Sequence, residues 1–280
     1  MKIYLDAKDL INILQNRGPC KPDQLNESLR RGNHQLVLSF ETVCEISAPL
    51  ANPGAKTNVM TLLNCLEEMP INFFHPSIEC LELKEALGAF FAKRECKVLL
   101  PFVPRFDQAV DPNARPATAI FIKYSLAQTV WDLHCYDALK GLESYAPKMR
   151  LLFATDRNLK APPTLKAHFA IVIERDLKSC KLSCSDVSIQ DFASWIYENP
   201  NRCPSTRLGY ELWHQIGKNK TDPLEDSDME DYQHVLCLPY VNLMTLDKRM
   251  HHYVSQAAAS MGLDYGERIF RLVQDVLCRL

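Results

Sequence analysis

The chain has 280 residues, of which 47% are hydrophobic and 24% are charged. These values are ordinary for a globular protein that can bury a sizeable core. Lys and Arg total 32 against 34 acids, a formal net charge of -2, so any nucleic-acid binding would have to use a local basic patch. The apolar runs are too short for a membrane span, and the start has no signal-peptide pattern, so we expect a cytoplasmic location and no membrane partner.

The 11 cysteines are odd in number and scattered. They form no Cys-x-x-Cys motif, and Cys180-x-x-x-Cys184 has no second pair of ligands at zinc spacing. The pattern therefore predicts reduced, buried or free thiols rather than zinc sites or disulfides.

Strands and helices alternate at the start of the chain. Short apolar runs predict strands at 2–5, 36–40 and 71–74. Apolar residues at helical spacing predict helices after Asp6, over 25–31, from Glu41 to Pro49, over 57–68 and from Ser77 to about Arg94. This alternation predicts a mostly parallel sheet wrapped by helices, the α/β class.

The middle of the chain has a different character. Residues 95–116 contain four prolines and no steady period, which predicts a loop or an insertion. Helices are then predicted over 117–142, 163–180, 186–198 and 206–218. We interpret 1–280 as a single domain, with its core from about 1–94 and 221–280 and a mostly helical insertion at 95–220.

A last strand ends in an acidic position near the end of the chain. The stretch 228–247 is predicted to be a short helix opening on Asp228 and Asp231, a Pro-Tyr break, and a strand ending on Thr245-Leu-Asp247. A helix over 249–261 and a helix or strand-helix piece over 267–279 are expected to follow.

Acidic residues stand where these predicted strands end or the next helices begin: Asp6, Glu45, Asp228, Asp231 and Asp247. In a parallel sheet such positions meet at one edge. Carboxylates gathered there repel each other unless a cation is present, and hard oxygen ligands favour Mg²⁺ or Mn²⁺. Taken singly, each acid also has an ordinary explanation as a turn, cap or solvated residue, so the metal interpretation depends on the ordered set.

The ordered set resembles the PIN-domain nucleases. The resemblance covers roughly residues 1–93 and 221–260, and it implies a three-layer PIN-like fold. It assigns the catalytic, metal-binding acids to Asp6, Glu45, Asp231 and Asp247, with Asp228 as an additional metal ligand. Thr245 matches a hydroxyl residue that precedes the last acid by two, and His234 stands one turn after Asp231 as a supporting residue.

That resemblance implies Mg²⁺- or Mn²⁺-dependent hydrolysis of phosphodiester bonds, more often in RNA than in DNA, with 5′-phosphate and 3′-hydroxyl products. A toxin, defence or RNA-processing role would each fit, as would an inhibitory protein partner or a homo-oligomer. Basic residues beside the acids are candidate phosphate contacts: Lys8, Arg207, Lys248 and Arg249.

Two positions depart from the family pattern. Ala7-Lys8 follows Asp6 where a small or amide residue is common, and Asn242 stands where an outer carboxylate often occurs. Two alternatives therefore stay open. One is a structure-specific DNA nuclease of the related flap-nuclease type; the other is a catalytically weak PIN-like nucleic-acid-binding protein, which Lys8 favours.

Overall fold

The computed structural model of the protein describes residues 1–52, 54–110, 125–135, 162–184, 188–219, 221–222 and 228–280. Its centre is a six-stranded sheet in the order β4-β3-β2-β1-β5-β6. The strands are β1 Lys2–Tyr4, β2 Gln35–Leu38, β3 Ile71–Phe74, β4 Phe102–Val103, β5 Leu243–Thr245 and β6 Ile269–Phe270. All neighbouring strands are parallel except β3 and β4, which are antiparallel. The predicted α/β class with a mostly parallel sheet is confirmed.

The described helices agree closely with the sequence pattern. They are α1 Ala7–Leu14, α2 Pro22–Arg31, α3 Phe40–Ser47, α4 Lys56–Glu67, α5 Ile78–Phe91, α6 Phe106–Val110, α7 Leu126–Cys135, α8 Pro162–Ser179, α9 Ile189–Glu198, α10 Pro204–Lys218, α11 Asp228–Val235, α12 Lys248–Ser260 and α13 Val273–Leu277. There are two exceptions: α6 was not predicted, and α7 covers only part of the predicted helix 117–142. The ends of the other helices differ from the predicted ones by a few residues at most, and 267–279 is a strand followed by a helix.

Side chains of the central strand alternate between two apolar cores. Ile3 packs with α1, α3 and α4 on one face of the sheet, and Tyr4 packs with α10, α11 and α12 on the other. Both residues are fully buried. Successive strand residues point to opposite faces of the sheet, and helices cover both faces. The side chains of β1 are therefore mostly apolar on both sides.

A third apolar cluster joins α8 and α9 to α5 through Leu83, Phe169, Ile173 and Phe192. The described part of the predicted insertion 95–220 therefore packs on a helix of the predicted core. Helix α10 also packs on both α5 and α12. The division of the chain into core and insertion stays a prediction.

The interpretation of 95–116 as a loop is wrong in part. Phe102–Val103 adds an antiparallel edge strand to β3, and Phe106 opens α6 with its ring against Phe73. Two residues are too few for a periodic signal, which explains why β4 was not predicted. Of the predicted helix 117–142, the part 126–135 is helical, and the remainder lies outside the described residues.

The prediction of reduced thiols is wrong for one pair. Cys80 in α5 and Cys180 just after α8 form a disulfide with a Cα–Cα distance of 5.5 Å. The two residues are 100 positions apart, so no local spacing reveals the pair. Among the described helices, none is long and apolar enough to cross a membrane.

Candidate active site

The carboxyl ends of the central strands each pass directly into a helix. Asp6 follows β1 and caps α1, since its Oδ1 accepts the Lys8 N–H at 2.9 Å. Asp247 follows β5 and caps α12, with its Oδ1 accepting the Met250 N–H at 2.6 Å. Because β1 and β5 are parallel neighbours, both capping carboxylates lie at the same edge of the sheet.

Thr245 joins the two strand ends. Its Oγ1 accepts the N–H of Asp6 at 2.7 Å across 239 positions of sequence. The same hydroxyl bonds the carboxylate of Asp9 in the first turn of α1, which helps to lower the pKa of Asp9 against the effect of burial. Thr245 thereby fixes the backbone from which the Asp6 side chain projects.

Asp231 lies among the other acids. Burial raises the pKa of its carboxyl to about 7; the charge of His234 lowers it, and the charges of Asp247, Asp6 and Asp228 raise it further. Within the described residues Asp231 makes no side-chain hydrogen bond or ion pair. The structure thus brings Asp6, Asp231 and Asp247 close enough for their charges to repel.

Glu45 reaches this group through His234. Nε2 of His234 lies 2.6 Å from Oε1 of Glu45. On the inner side, Nδ1 of His234 contacts the hydroxyls of Tyr4 and Ser39, which with Thr42 form a buried hydroxyl cluster. The charge of Glu45 in turn contributes to the raised pKa of Asp6, behind the larger effect of burial. Asp6 thus lies within range of the charge of Glu45, and Asp231 within range of the charges of Asp6 and Asp247.

Asp228 is not free to act as the predicted metal ligand. Its side chain is fully buried, and both of its oxygens are bonded by the guanidinium of Arg249, Oδ2 at 3.2 Å. Arg249 also donates from Nε to Asp222 at 2.8 Å. A buried carboxylate held by an arginine is a structural ion pair. The prediction of Asp228 as a ligand, and of Arg249 as a phosphate contact, is wrong for this arrangement.

The remaining basic candidates differ in how far their side chains are exposed to solvent. Lys8 and Lys248 are exposed beside Asp6 and Asp247, so their predicted contact with phosphate stays a prediction. Arg207 is buried, with its side chain only 3% exposed, and it pairs with Glu211 at 2.9 Å and stacks on Tyr197. Arg207 therefore has no surface to offer a substrate, and the prediction that it binds one is wrong.

Asn242 has a structural function at the amino ends of β1 and β5, away from the carboxylates. Its Oδ1 accepts the N–H of Lys2 at 2.7 Å, before β1 and β5 begin to pair. An acid at this position would not lie near the carboxyl ends of the strands. The absence of a carboxylate at Asn242 thus has no bearing on the group around Asp6.

A hard cation fits the donor chemistry of this group, since mutually repelling carboxylates are the ligands that Mg²⁺ and Mn²⁺ prefer. The positions of the side chains, however, do not form a complete metal site. Among the described residues, no three His, Cys, Asp or Glu side chains are positioned together to hold a metal ion. Asp6 and Asp247 are turned partly toward the N–H groups that they cap, and Glu45 toward His234.

Two contributors were not foreseen from the sequence. Asp9 shares the Thr245 hydroxyl, and its position three residues after Asp6, one turn along α1, is a signal that could have identified it. The cluster of Tyr4, Ser39 and Thr42 could not be recognised, because a strand tyrosine and two hydroxyl residues at a helix start normally indicate packing and capping.

Comparison with protein-family models, with curated proteins and with solved structures gave no match for this chain.

Proposed function

We propose that this protein is a metal-dependent endoribonuclease with a PIN-like fold. The observation that carries the proposal is that Asp6 and Asp247 follow neighbouring parallel strands and that Asp231 lies within range of their charges, which add to the effect of burial in raising its pKa. Carboxylates held together against their own repulsion are costly as packing and useful as a cation site.

In this proposal Asp6, Asp231 and Asp247 hold the cation and Glu45 completes the set. A bound Mg²⁺ or Mn²⁺ supplies Lewis acidity, lowering the pKa of a water and offsetting charge on the phosphate and the leaving oxygen. Thr245 orients the backbone at Asp6, and His234 orients Glu45. Asp247 is exposed, so solvent reaches this carboxylate.

A second candidate function is nucleic-acid binding with little turnover. The contact between His234 and Glu45 favours it, because this contact occupies the Glu45 carboxylate without a metal ion. The two functions differ in what Mg²⁺ does. The nuclease cuts RNA only with the metal, whereas the binding protein retains RNA equally in Mg²⁺ and in EDTA.

The test is cleavage of labelled RNA in MgCl₂ or MnCl₂ and in EDTA, by wild type and by Asp231→Asn. We expect metal-dependent cleavage that Asp231→Asn abolishes. Asp191→Asn is the matched control, because Asp191 is an exposed acid in the first turn of α9 and belongs to no acid group. Equal cleavage by Asp231→Asn and Asp191→Asn would exclude the proposed site.

Metal binding can be measured without activity. A cation that binds only the folded protein raises its melting temperature by mass action. We expect MnCl₂ to raise the melting temperature of wild type and of Asp191→Asn, and to have little effect on Asp231→Asn. A shift of the same size in all three proteins would mean that the cation binds elsewhere.

A further inference from the structure

A polar cleft of about 400 Å³ runs along α1 beside the carboxylates. Its lining includes Asp9, Asn12, Arg17, Arg271, Leu272 and Gln274. We call it the arginine cleft. None of its residues belongs to the acid set of the proposed active site.

The arginine cleft adjoins that active site through Asp9. Asp9 lines the cleft and shares the Thr245 hydroxyl that also bonds the Asp6 N–H. Arg271 leaves β6 at the carboxyl edge, because Phe270 pairs in parallel with Thr245. Asp9 and Arg271 thus connect the lining of the cleft to the strand ends that precede Asp6 and Asp247.

Arg17 is held in place by the end of α1. Asn16 adopts a left-handed backbone with φ of 57°, and the Arg17 N–H bonds the Asn12 carbonyl at 2.7 Å. This is the pattern of a Schellman helix end. Gly18 then lies so close to Ile13 that an added Cβ would meet Ile13 Cγ1 at 2.8 Å. The turn thus fixes where the Arg17 side chain leaves the backbone.

Neither arginine of the cleft has an acidic partner among the described residues. Arg17 and Arg271 are exposed, and neither makes a side-chain hydrogen bond or ion pair within the described residues. By contrast, Arg31 pairs with Glu27 and Arg279 pairs with Glu267. A guanidinium with free donors is well suited to bidentate contact with phosphate oxygens.

Leu272 adds an apolar surface next to Arg271. Its side chain is 58% exposed although it lines the cleft. An exposed apolar side chain between phosphate-binding residues can pack against an unstacked base, which only a single strand presents.

We propose that the arginine cleft binds single-stranded RNA on one side of the carboxylates, with Arg17 and Arg271 each contacting a backbone phosphate and Leu272 packing against a base. This inference rests on the proposed nuclease function, because it takes the same substrate and extends its path. It predicts a substrate that extends past the cut bond on the side of α1 and β6.

The experiment measures binding of a short fluorescent single-stranded RNA by anisotropy in EDTA over a range of salt. We expect Arg17→Gln/Arg271→Gln to bind several-fold more weakly than wild type. The slope of log affinity against log salt should become shallower by about 1.4, since each phosphate contact on a single strand contributes about 0.7. Leu272→Ser should weaken binding and leave the slope unchanged.

The matched control is Arg31→Gln/Lys178→Gln, which makes the same change in net charge at side chains 73% and 74% exposed. It should retain the affinity and slope of wild type. Thermal unfolding checks that every variant is folded. The inference is overturned if the cleft variant keeps the wild-type slope, or if the control loses as much affinity as the cleft variant.

Binding in EDTA separates this inference from the proposed function. If wild type binds RNA through the cleft but never cuts it with Mg²⁺, the nuclease function fails and the cleft stands. If wild type cuts RNA while the cleft variant binds with unchanged affinity and slope, the cleft fails and the function stands.

Discussion

Nε2 of His234 lies 2.6 Å from Oε1 of Glu45, although the residues are 189 positions apart in sequence. Burial lowers the pKa of His234, but the hydrogen bond and charge of Glu45, with the charges of Glu41 and Asp231, raise it overall. The contact with Nε2 sets the direction of the Glu45 side chain.

His234→Gln should lower RNA cleavage by about 10- to 100-fold, as is usual when a residue that orients a metal ligand is replaced. We expect the Mg²⁺ concentration for half-maximal activity to rise while the KM for RNA stays the same, because Glu45 loses its orientation and the basic surface does not change. His252→Gln, at an exposed position of α12, is the control. An increase in KM alone would instead indicate that His234 contacts RNA.

The ion pair of Asp228 and Arg249 should contribute to stability rather than to catalysis. Arg249→Gln leaves the buried Asp228 carboxylate without its partner, so we expect it to lower the free energy of unfolding by about 3 kcal/mol in urea. Asp228→Asn introduced into that background should recover part of the loss. If Asp228→Asn abolishes the effect of MnCl₂ on melting while the fold is kept, Asp228 is a ligand after all.

Glu79 should make stability dependent on pH. Burial raises the pKa of its carboxyl to about 7, and the charge of Asp176 adds to the effect, against a hydrogen bond from Tyr232 at 2.9 Å. A raised pKa means that the folded state binds the proton more tightly. Proton binding by Glu79 therefore stabilises the fold fully below the unfolded pKa near 4.5, and this stabilisation is lost as the pH rises through about 7.

Glu79→Gln removes this titration and keeps an acceptor for Tyr232. We expect it to raise the free energy of unfolding at pH 8 by about 1 to 2 kcal/mol and to change it little at pH 4. Urea unfolding at both pH values measures the difference. The explanation fails if the gain is equal at both pH values, or if it is larger at pH 4.

The Cys80–Cys180 disulfide closes a long loop, so its removal should be costly. Cys80→Ser/Cys180→Ser is expected to lower the free energy of unfolding by about 2 to 5 kcal/mol. Dithiothreitol should lower the stability of wild type by a similar amount and leave the variant unchanged. Cys278→Ser, at an exposed thiol, should have no effect. If dithiothreitol destabilises Cys80→Ser/Cys180→Ser as much as Cys278→Ser, a bond other than Cys80–Cys180 causes the sensitivity to the reductant.

Local patterns predicted the strands that matter most for the site. Strands β1, β2 and β5 are short runs of mostly buried apolar residues, which the sequence pattern predicts. Asp6 and Asp247 could be placed directly after β1 and β5, because Asp is a typical residue at the start of a helix. The acid group followed from the rule that parallel strands deliver their carboxyl ends to one edge.

Features that depend on distant partners could not be predicted in the same way. The family resemblance predicts Asp228 as a ligand, and only the fold shows that Arg249, 21 positions later, bonds its carboxylate. Arg207 appeared as a basic residue near the acids, but its helix turns it into the core beside Glu211. Nuclease activity itself stays a prediction.

Strand β5 pairs beside β1, the first strand of the chain, through Ile3 with Leu243 and Tyr4 with Met244. A growing polypeptide consequently completes β1, β2 and β3 long before the strand that carries Asp247 is made. Contacts between such distant segments form late and slowly during folding. The nascent chain therefore holds Asp6 and Glu45 before Asp231 and Asp247 have been made, and whatever activity the acids have begins only after β5 has been synthesised.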